Sequence, residues 1–193
     1  GGLAAAGLAW GVTEAQMFTL RRVNVPVLAE GSTPIRVLHI SDLHLLARQH
    51  RKQQWVARLA ELEPDLVVNT GDNFCSADTL EPLLECLDGL LKRPGVFIFG
   101  SNDYLKPSFR NPVEYLIRGR SPNDVEEEQP ELPHEELRDA FTSAGWLDLN
   151  DRRGRLEVAG HTIAFRGTND AHHHRDHYEK VAGPAEDAEL NIG

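Results

Sequence analysis

The sequence predicts an α/β protein built on a parallel sheet. Three apolar runs, IRVLHI, DLVV and GVFIF, recur along the chain, and each ends in a polar cluster. Asp42 and Asp72, which close the first two, are 30 residues apart, and Asp72 and Asn102 are again 30 apart. That is the length of a strand, a crossover helix and the next parallel strand. Between the runs, apolar residues recur at three- and four-residue steps, the period of a helix with one buried face. Polar clusters at the carboxyl ends of parallel strands gather on one sheet edge, where open α/β sheets bind their ligands.

The elements follow in order. Met17 to Gly31 alternates around Val23, Val25 and Val27, which reads as a strand, with Pro26 favouring an edge position. Pro34 leads into the central strand carrying Ile35, Val37, Leu38 and Ile40. Ala47 to Glu63 reads as a helix with Trp55, Val56, Leu59, Ala60 and Leu62 inward, stopped by Pro64. Asp78 to Lys92 is the clearest helix, with a leucine stripe, Asp78 and Glu81 as a capping box, and Pro94-Gly95 beyond its end. Asn111 to Arg118 reads as a short helix and Arg120 to Glu131 as an acidic loop. A helix over Pro133 to Ala144 ends at Gly145, and Leu156 to Phe165 reads as a hairpin turning at Ala159-Gly160.

Composition narrows the function. At 193 residues the chain holds one domain with a substantial core. A net charge of −10 leaves no basic face for a nucleic-acid backbone, so no nucleic-acid partner is expected. An anionic substrate stays admissible, because a bound divalent cation inverts the local charge. Cys75 and Cys86 match no zinc or redox spacing and read as free thiols. Residues 1–16 read as an apolar remnant of a signal or anchor, or a terminal tail, since GGLAAAGLAWG falls short of the ~20 residues of a membrane helix. AEDAELNIG stops as a new apolar strand begins, so residues 17–193 are read as the amino-terminal part of a larger domain.

The chemistry sits in the clusters. Asp42 and His44, two apart at a strand end, offer a carboxylate and an imidazole to one ion, a pair that suits Zn, Mn or Fe. Asp72 follows Gly71, whose freedom allows a sharp turn, and a carboxylate there can bridge two ions. Asn102 offers a neutral oxygen. Two divalent ions about 3.5–4 Å apart clamp a phosphate ester and activate water for in-line attack. The bland alternatives are turn and capping roles for the same Asp and Asn residues. Asn73 and Asp103 read as supporting or turn residues, and His39 as a packed core histidine.

DLH, GDN and GSND after three successive strands resemble the first three motifs of the calcineurin-like metallophosphoesterases, D-x-H, G-D and G-N-H-[DE]. The resemblance runs from about Phe18 to Gly193 and is strongest to members with a short amino-terminal membrane segment, the membrane-linked bacterial type. It implies a four-layer sandwich of two mixed sheets flanked by helices, with a two-metal site on the carboxyl edge. It implies Asp42 and His44 on the first metal, Asp72 bridging both, and Asn102 on the second, with Asp72 and Asn102 the catalytic pair. It also implies a metal-activated hydroxide as nucleophile, a phosphomonoester or phosphodiester substrate, lipid-linked by analogy with the membrane-linked members, and a membrane-associated or cytoplasmic setting.

Two departures matter. In strict register Ser101 takes the ligand position and Asn102 the histidine position, so the usual histidine acid is missing; Asn102 is preferred as ligand because an amide oxygen donates better than a hydroxyl. The family's later histidine ligands have no counterpart in this stretch, which alone is expected to be inactive. Gly167-Thr168-Asn169-Asp170 followed by His172 resembles a segment bordering the substrate cleft, marking His172 as a substrate-binding candidate, although the tract His172, His173, His174 and His177 reads equally as a surface loop. Arg166 and Arg175 read either as phosphate contacts or as surface salt bridges. The alternative function is a non-catalytic or truncated relative that binds metal or a protein partner without turnover. A dinucleotide-binding domain is disfavoured because no GxGxxG follows the first strand.

Overall fold

The computed structural model describes residues 7, 10, 11, 13, 14, 17–107 and 130–193. The first apolar run forms β1, Val37–Ile40, and the second and third form β2, Leu66–Asn69, and β3, Gly95–Phe97. A fourth strand, β4, Leu147–Asp148, follows Trp146. All pair in parallel in the order β1-β2-β3-β4, with Val37 opposite Leu66, Val67 opposite Gly95 and Val96 opposite Leu147. The expected crossovers are present. Helix α1, His50–Ala57, runs into a 3-10 turn over Arg58–Leu62 and stops at Glu63, in the left-handed region before Pro64. Helix α2, Leu80–Leu91, follows β2. A single turn, α3, Ser101–Tyr104, follows β3, and α4, His134–Ser143, precedes β4.

Alternation along the sheet decides the layers. Val67 and Phe97 face the helices and pack with Val56, Leu83, Leu87, Leu90, Phe141 and Trp146. Their neighbours Leu66, Val68 and Val96 face the other way, against a second sheet. That sheet is the expected hairpin, β5, Arg152–Val158, and β6, His161–Gly167, joined by β7, Leu190–Ile192, in parallel with β6. The hairpin turns at Ala159 and Gly160, both at positive φ, as a two-residue turn matching strand twist demands. Val158, Ile163 and Phe165 close the core between the sheets. Among the described residues this makes three layers: helices, parallel sheet, mixed sheet.

Three expectations are corrected. Residues 17–30 form no strand, and Val23, Val25 and Val27 are 79%, 66% and 55% exposed. Period-two alternation yields a strand only where a sheet edge receives it, and no described strand does; Phe18 is held instead by its ring against Trp55, at 5.5 Å. Asp78 caps no helix: it lies in a 3-10 turn, Ala77–Thr79, and its carboxylate takes the Ser76 hydroxyl. His39 is exposed, not core, because it stands where the second sheet gives no cover, and its Nε2 meets Thr70 Oγ1 at 2.8 Å. The expected helix over 111–118 and most of the acidic loop lie outside the described residues. No helix among the described residues is long and apolar enough to cross a membrane.

Candidate metal centre

Past the ends of β1 and β2 the two loops continue to pair. Thr70 N–H donates to Ile40, Asp42 N–H to Gly71, His44 N–H to Asp72, and Leu45 N–H to Asn73, the last three at 3.0, 2.9 and 2.9 Å. Asp42, His44 and Asp72 all take left-handed backbone, with φ of 53°, 40° and 55°. Non-glycine residues in this region are strained and concentrate at functional sites. The kinks, rather than simple strand alternation, bring Asp42 and His44 to one side. His44 Nε2 lies 3.7 Å from Asp42 Oδ1 and 3.5 Å from Asp72 Oδ2. One donor atom from each of the three residues falls within 4.8 Å of the others. Two carboxylates and an imidazole so close fit a divalent transition ion. Asp42 also holds the Ser41 hydroxyl on its second oxygen.

The third loop meets this group through Asn102. Its backbone N–H reaches Asp72 Oδ1 and its side-chain amide reaches Asp72 Oδ2, both at 2.9 Å. Ser101 makes no side-chain hydrogen bond to a described residue. Of the four ligand candidates, three form the compact group, and Asn102 joins it through Asp72. His172 stands apart. It is exposed, its N–H is held by Asp170 at 2.9 Å, and its ring packs on His173 at 5.1 Å.

Two glycines set the closeness of the loops. Gly71 has φ +88°, and a Cβ there would come 2.2 Å from the Gly100 nitrogen. A Cβ on Gly100 would come 2.3 Å from Asp72 Oδ1. Neither position accepts a side chain without moving the other loop.

Asp103 locks the assembly. Its buried carboxylate accepts four N–H groups: Asp72 N at 2.8 Å, Gly100 N at 3.0 Å, and Asn73 N and Nδ2 at 2.8 and 3.1 Å. Burial pushes its carboxyl up to about 6, opposed by these donors, which favour the ionised form. Asn73 and Asp103 are thus supporting residues that bind two loops together. Sequence reading missed two partners. Asn69, buried at the end of β2, accepts Gly71 N–H and donates to Asn73. Asn150 accepts Phe99 N–H at 2.9 Å and so fixes the entry to the third loop, while Asp148 holds Asn150. A polar residue closing an otherwise apolar strand, as in LVVN, was the available signal for Asn69.

Beside the first loop, the half-buried Lys52 ammonium donates to the Leu43 carbonyl. Burial lowers its pKa, and burial raises that of Cys75, against the pull of Lys52. Cys75 and Cys86 are free thiols, as the sequence reading has them. A hollow of about 550 Å³ lined by Leu132, His134, Glu135, Glu136 and Asp139 lies elsewhere, and no ligand candidate lines it.

Comparison with known proteins agrees with the motifs. The profile of the calcineurin-like phosphoesterases matches residues 35–188. The chain is also similar to YpbG of Bacillus subtilis (strain 168), an uncharacterized protein, with 24% identity over 165 residues, 84% of this chain and 52% of YpbG. The chain therefore spans about half the length of that relative.

Proposed function

The chain belongs to the calcineurin-like phosphoesterase family, and from that membership we propose that the protein hydrolyses a phosphomonoester or phosphodiester at a site for two divalent ions, Mn, Fe or Zn. The observation that carries the proposal is the convergence of Asp42, His44 and Asp72 on one point, with Asn102 hydrogen-bonded to Asp72. In this reading Asp42 and His44 would hold the first ion, Asp72 would serve both, and Asn102 would serve the second. When bound, such ions polarise the phosphoryl group and supply an activated water near neutral pH. The chain's own part is to present charge and fix direction. Asp72 is oriented by two N–H donors from Asn102, and the Asp103 network keeps the second and third loops from drifting apart. A lipid-linked substrate and membrane association are proposed on the family resemblance alone, with a cytoplasmic setting as the alternative.

The test is metal stoichiometry by equilibrium dialysis against Mn²⁺, together with hydrolysis of an aryl phosphodiester, for the full-length wild-type protein and its Asp72→Ala variant. The expected result is two ions in the wild type and loss of both in the variant. Retention of both ions by Asp72→Ala would refute the bridging role.

A second reading is favoured by one observation, the Ser101-Asn102 pair where the family has asparagine and histidine. It is a relative that binds metal, or a partner, without turnover. Full metal occupancy with no hydrolysis of mono- or diesters would select it.

A further inference from the structure

The sequence leaves Arg166 and Arg175 as equal candidates for a phosphate contact, and the structure separates them. Arg166 is committed to the chain itself, donating to the Gly183 carbonyl at 2.8 Å and the Pro184 carbonyl at 2.6 Å. Arg175 pairs with no carboxylate among the described residues. Its guanidinium sits over the Tyr104 ring, with Cζ 4.3 Å from the centroid. A stacked guanidinium satisfies its face through the aromatic ring and leaves its in-plane N–H groups for a planar or tetrahedral anion.

The support beneath Arg175 is built into the fold. Tyr104 ends the same helical turn that carries Asn102 and Asp103, two residues beyond Asn102 in the chain. The Tyr104 ring is buried, edge-on to Phe99 and His134. Its hydroxyl donates to Asn169 Oδ1 at 2.7 Å, tying the third loop to the segment that bears Arg175. Both ends of that segment are held by one carboxylate oxygen: Asp151 Oδ1 accepts Asn169 N–H at 3.1 Å and His177 N–H at 2.8 Å. Inside it, Arg175 N–H returns to the Asp170 carbonyl at 3.0 Å. The Asp170 carboxylate accepts the backbone N–H groups of His172 and His173 and makes no ion pair with the arginine.

We propose that Arg175, stacked on Tyr104 beside the Asn102 loop, binds the non-bridging oxygens of the substrate's phosphate. The proposal rests on the reading of the site as a phosphoesterase centre and adds a recognition residue to it. It makes chemical sense of the charge distribution. The candidate ligands are two carboxylates and neutral groups in a chain of net charge −10, and a phosphate anion gains from a fixed cation that is not itself a metal ligand. It also accounts for the clamped segment, since positioning of one guanidinium requires its backbone to be fixed.

The experiment measures inorganic phosphate binding by calorimetry to the Mn²⁺-loaded protein, for the wild type, R175M and R175K, with Mn²⁺ affinity and Tm recorded without phosphate. Expected is a loss of about 10- to 100-fold in phosphate affinity for R175M, the effect of removing a charge-assisted contact, with Mn²⁺ affinity and Tm unchanged. R175K is expected to recover only part, because an ammonium supplies charge without the fork or the stack. Phosphate affinity within twofold of wild type in R175M overturns the proposal, as does loss only in step with Mn²⁺ affinity, or a Mn²⁺-loaded wild type that binds no phosphate. A wild type that binds no Mn²⁺ is a different result, which rejects the metal-centre reading itself and this inference with it.

Discussion

The contact between Gly100 and Asp72 gives the sharpest perturbation. Gly100 has extended backbone, φ −99° and ψ 178°, which alanine adopts without strain, so Gly100→Ala changes sterics alone. The new Cβ would lie 2.3 Å from Asp72 Oδ1, 2.9 Å from its Cγ and 3.0 Å from its nitrogen. An ordinary contact needs about 3.4 Å or more, so the carboxylate must retreat by about 1 Å. Its bonds to Asn102 N and Nδ2 start at 2.9 Å and would pass the limit of a hydrogen bond. Overpacking costs about 1–3 kcal/mol, and loss of bonds to a charged group adds to it, discounted because Asp72 reaches water. A net loss of about 2–4 kcal/mol lowers Tm by about 4–16 °C for a domain of this size. The displaced carboxylate should also weaken metal binding about 10- to 100-fold. The assay is thermal unfolding in chelator and across a Mn²⁺ titration. A variant with wild-type Tm in chelator and a wild-type Mn²⁺ midpoint would refute the claim that Gly100 sets the position of Asp72. Gly71→Ala is the weaker test, since φ +88° adds backbone strain to the clash.

Asp103→Ala leaves four N–H groups without their acceptor, at about 1–3 kcal/mol each, partly offset by relief of a buried charge. The expected net loss is about 3 kcal/mol or more by urea unfolding in chelator; a loss below about 1 kcal/mol would show that the network contributes little. The His161–Glu189 pair makes stability depend on pH. His161 meets only acceptors, the Glu189 carboxylate at 2.7 Å and the Thr33 carbonyl at 2.9 Å, an arrangement suited to the imidazolium. The Glu189 bond raises the His161 pKa above 6.5, against desolvation, and the His161 bond lowers that of Glu189 below 4.5. A raised base stabilises the fold below its unfolded pKa and loses that contribution as pH rises through the folded value. A depressed acid contributes above its unfolded pKa and loses that as pH falls through its folded value. The Tm difference between the wild type and His161→Gln should therefore be greatest at about pH 5–6 and shrink above the raised His161 pKa; a difference constant from about pH 5 to 9 would reject the pairing.

Much of the fold was legible because β2 and β3 are buried on both faces and therefore read as continuous apolar runs, while β1 keeps Leu38 and Ile40 buried on one face. Leu66, Val67 and Val96 have no exposed face, and their helices carry stripes that fit the sheet. The hairpin was equally plain, since Ala159-Gly160 must take positive φ between two strands. The failures share a cause. The alternation of Val23, Val25 and Val27 describes a strand that needs a partner, and partners are not encoded locally. β4 went unread because Leu147–Asp148 is only two residues long, below any periodic signal. The carboxylates of the centre were legible as residue types at a fixed interval. The reason they converge was not, because it lies in left-handed backbone at Asp42, His44 and Asp72 and in N–H groups that point at Asp103.

That last point bears on the histidine missing from GSND. In this structure the aspartate closing the motif has a job separate from proton transfer: it binds Gly100 to the backbone of Asp72 and Asn73. Gly100 in turn allows Asp72 to sit where Asn102 can orient it. Only one of these contacts uses the side chain at the position where the family carries histidine, the Asn102 amide on Asp72 Oδ2; the others use backbone groups and the Asp103 carboxylate. With Asn102 in place of histidine, the Asp103 scaffold of the centre stands without an imidazole, and the Asn102 amide supplies a bond to Asp72. Metal binding and turnover are thus expected to separate in this chain, and restoring the imidazole with Asn102→His tests the division. Hydrolysis rising with unchanged Mn²⁺ stoichiometry would assign that position to proton transfer alone, whereas loss of an ion would show that Asn102 holds the metal itself.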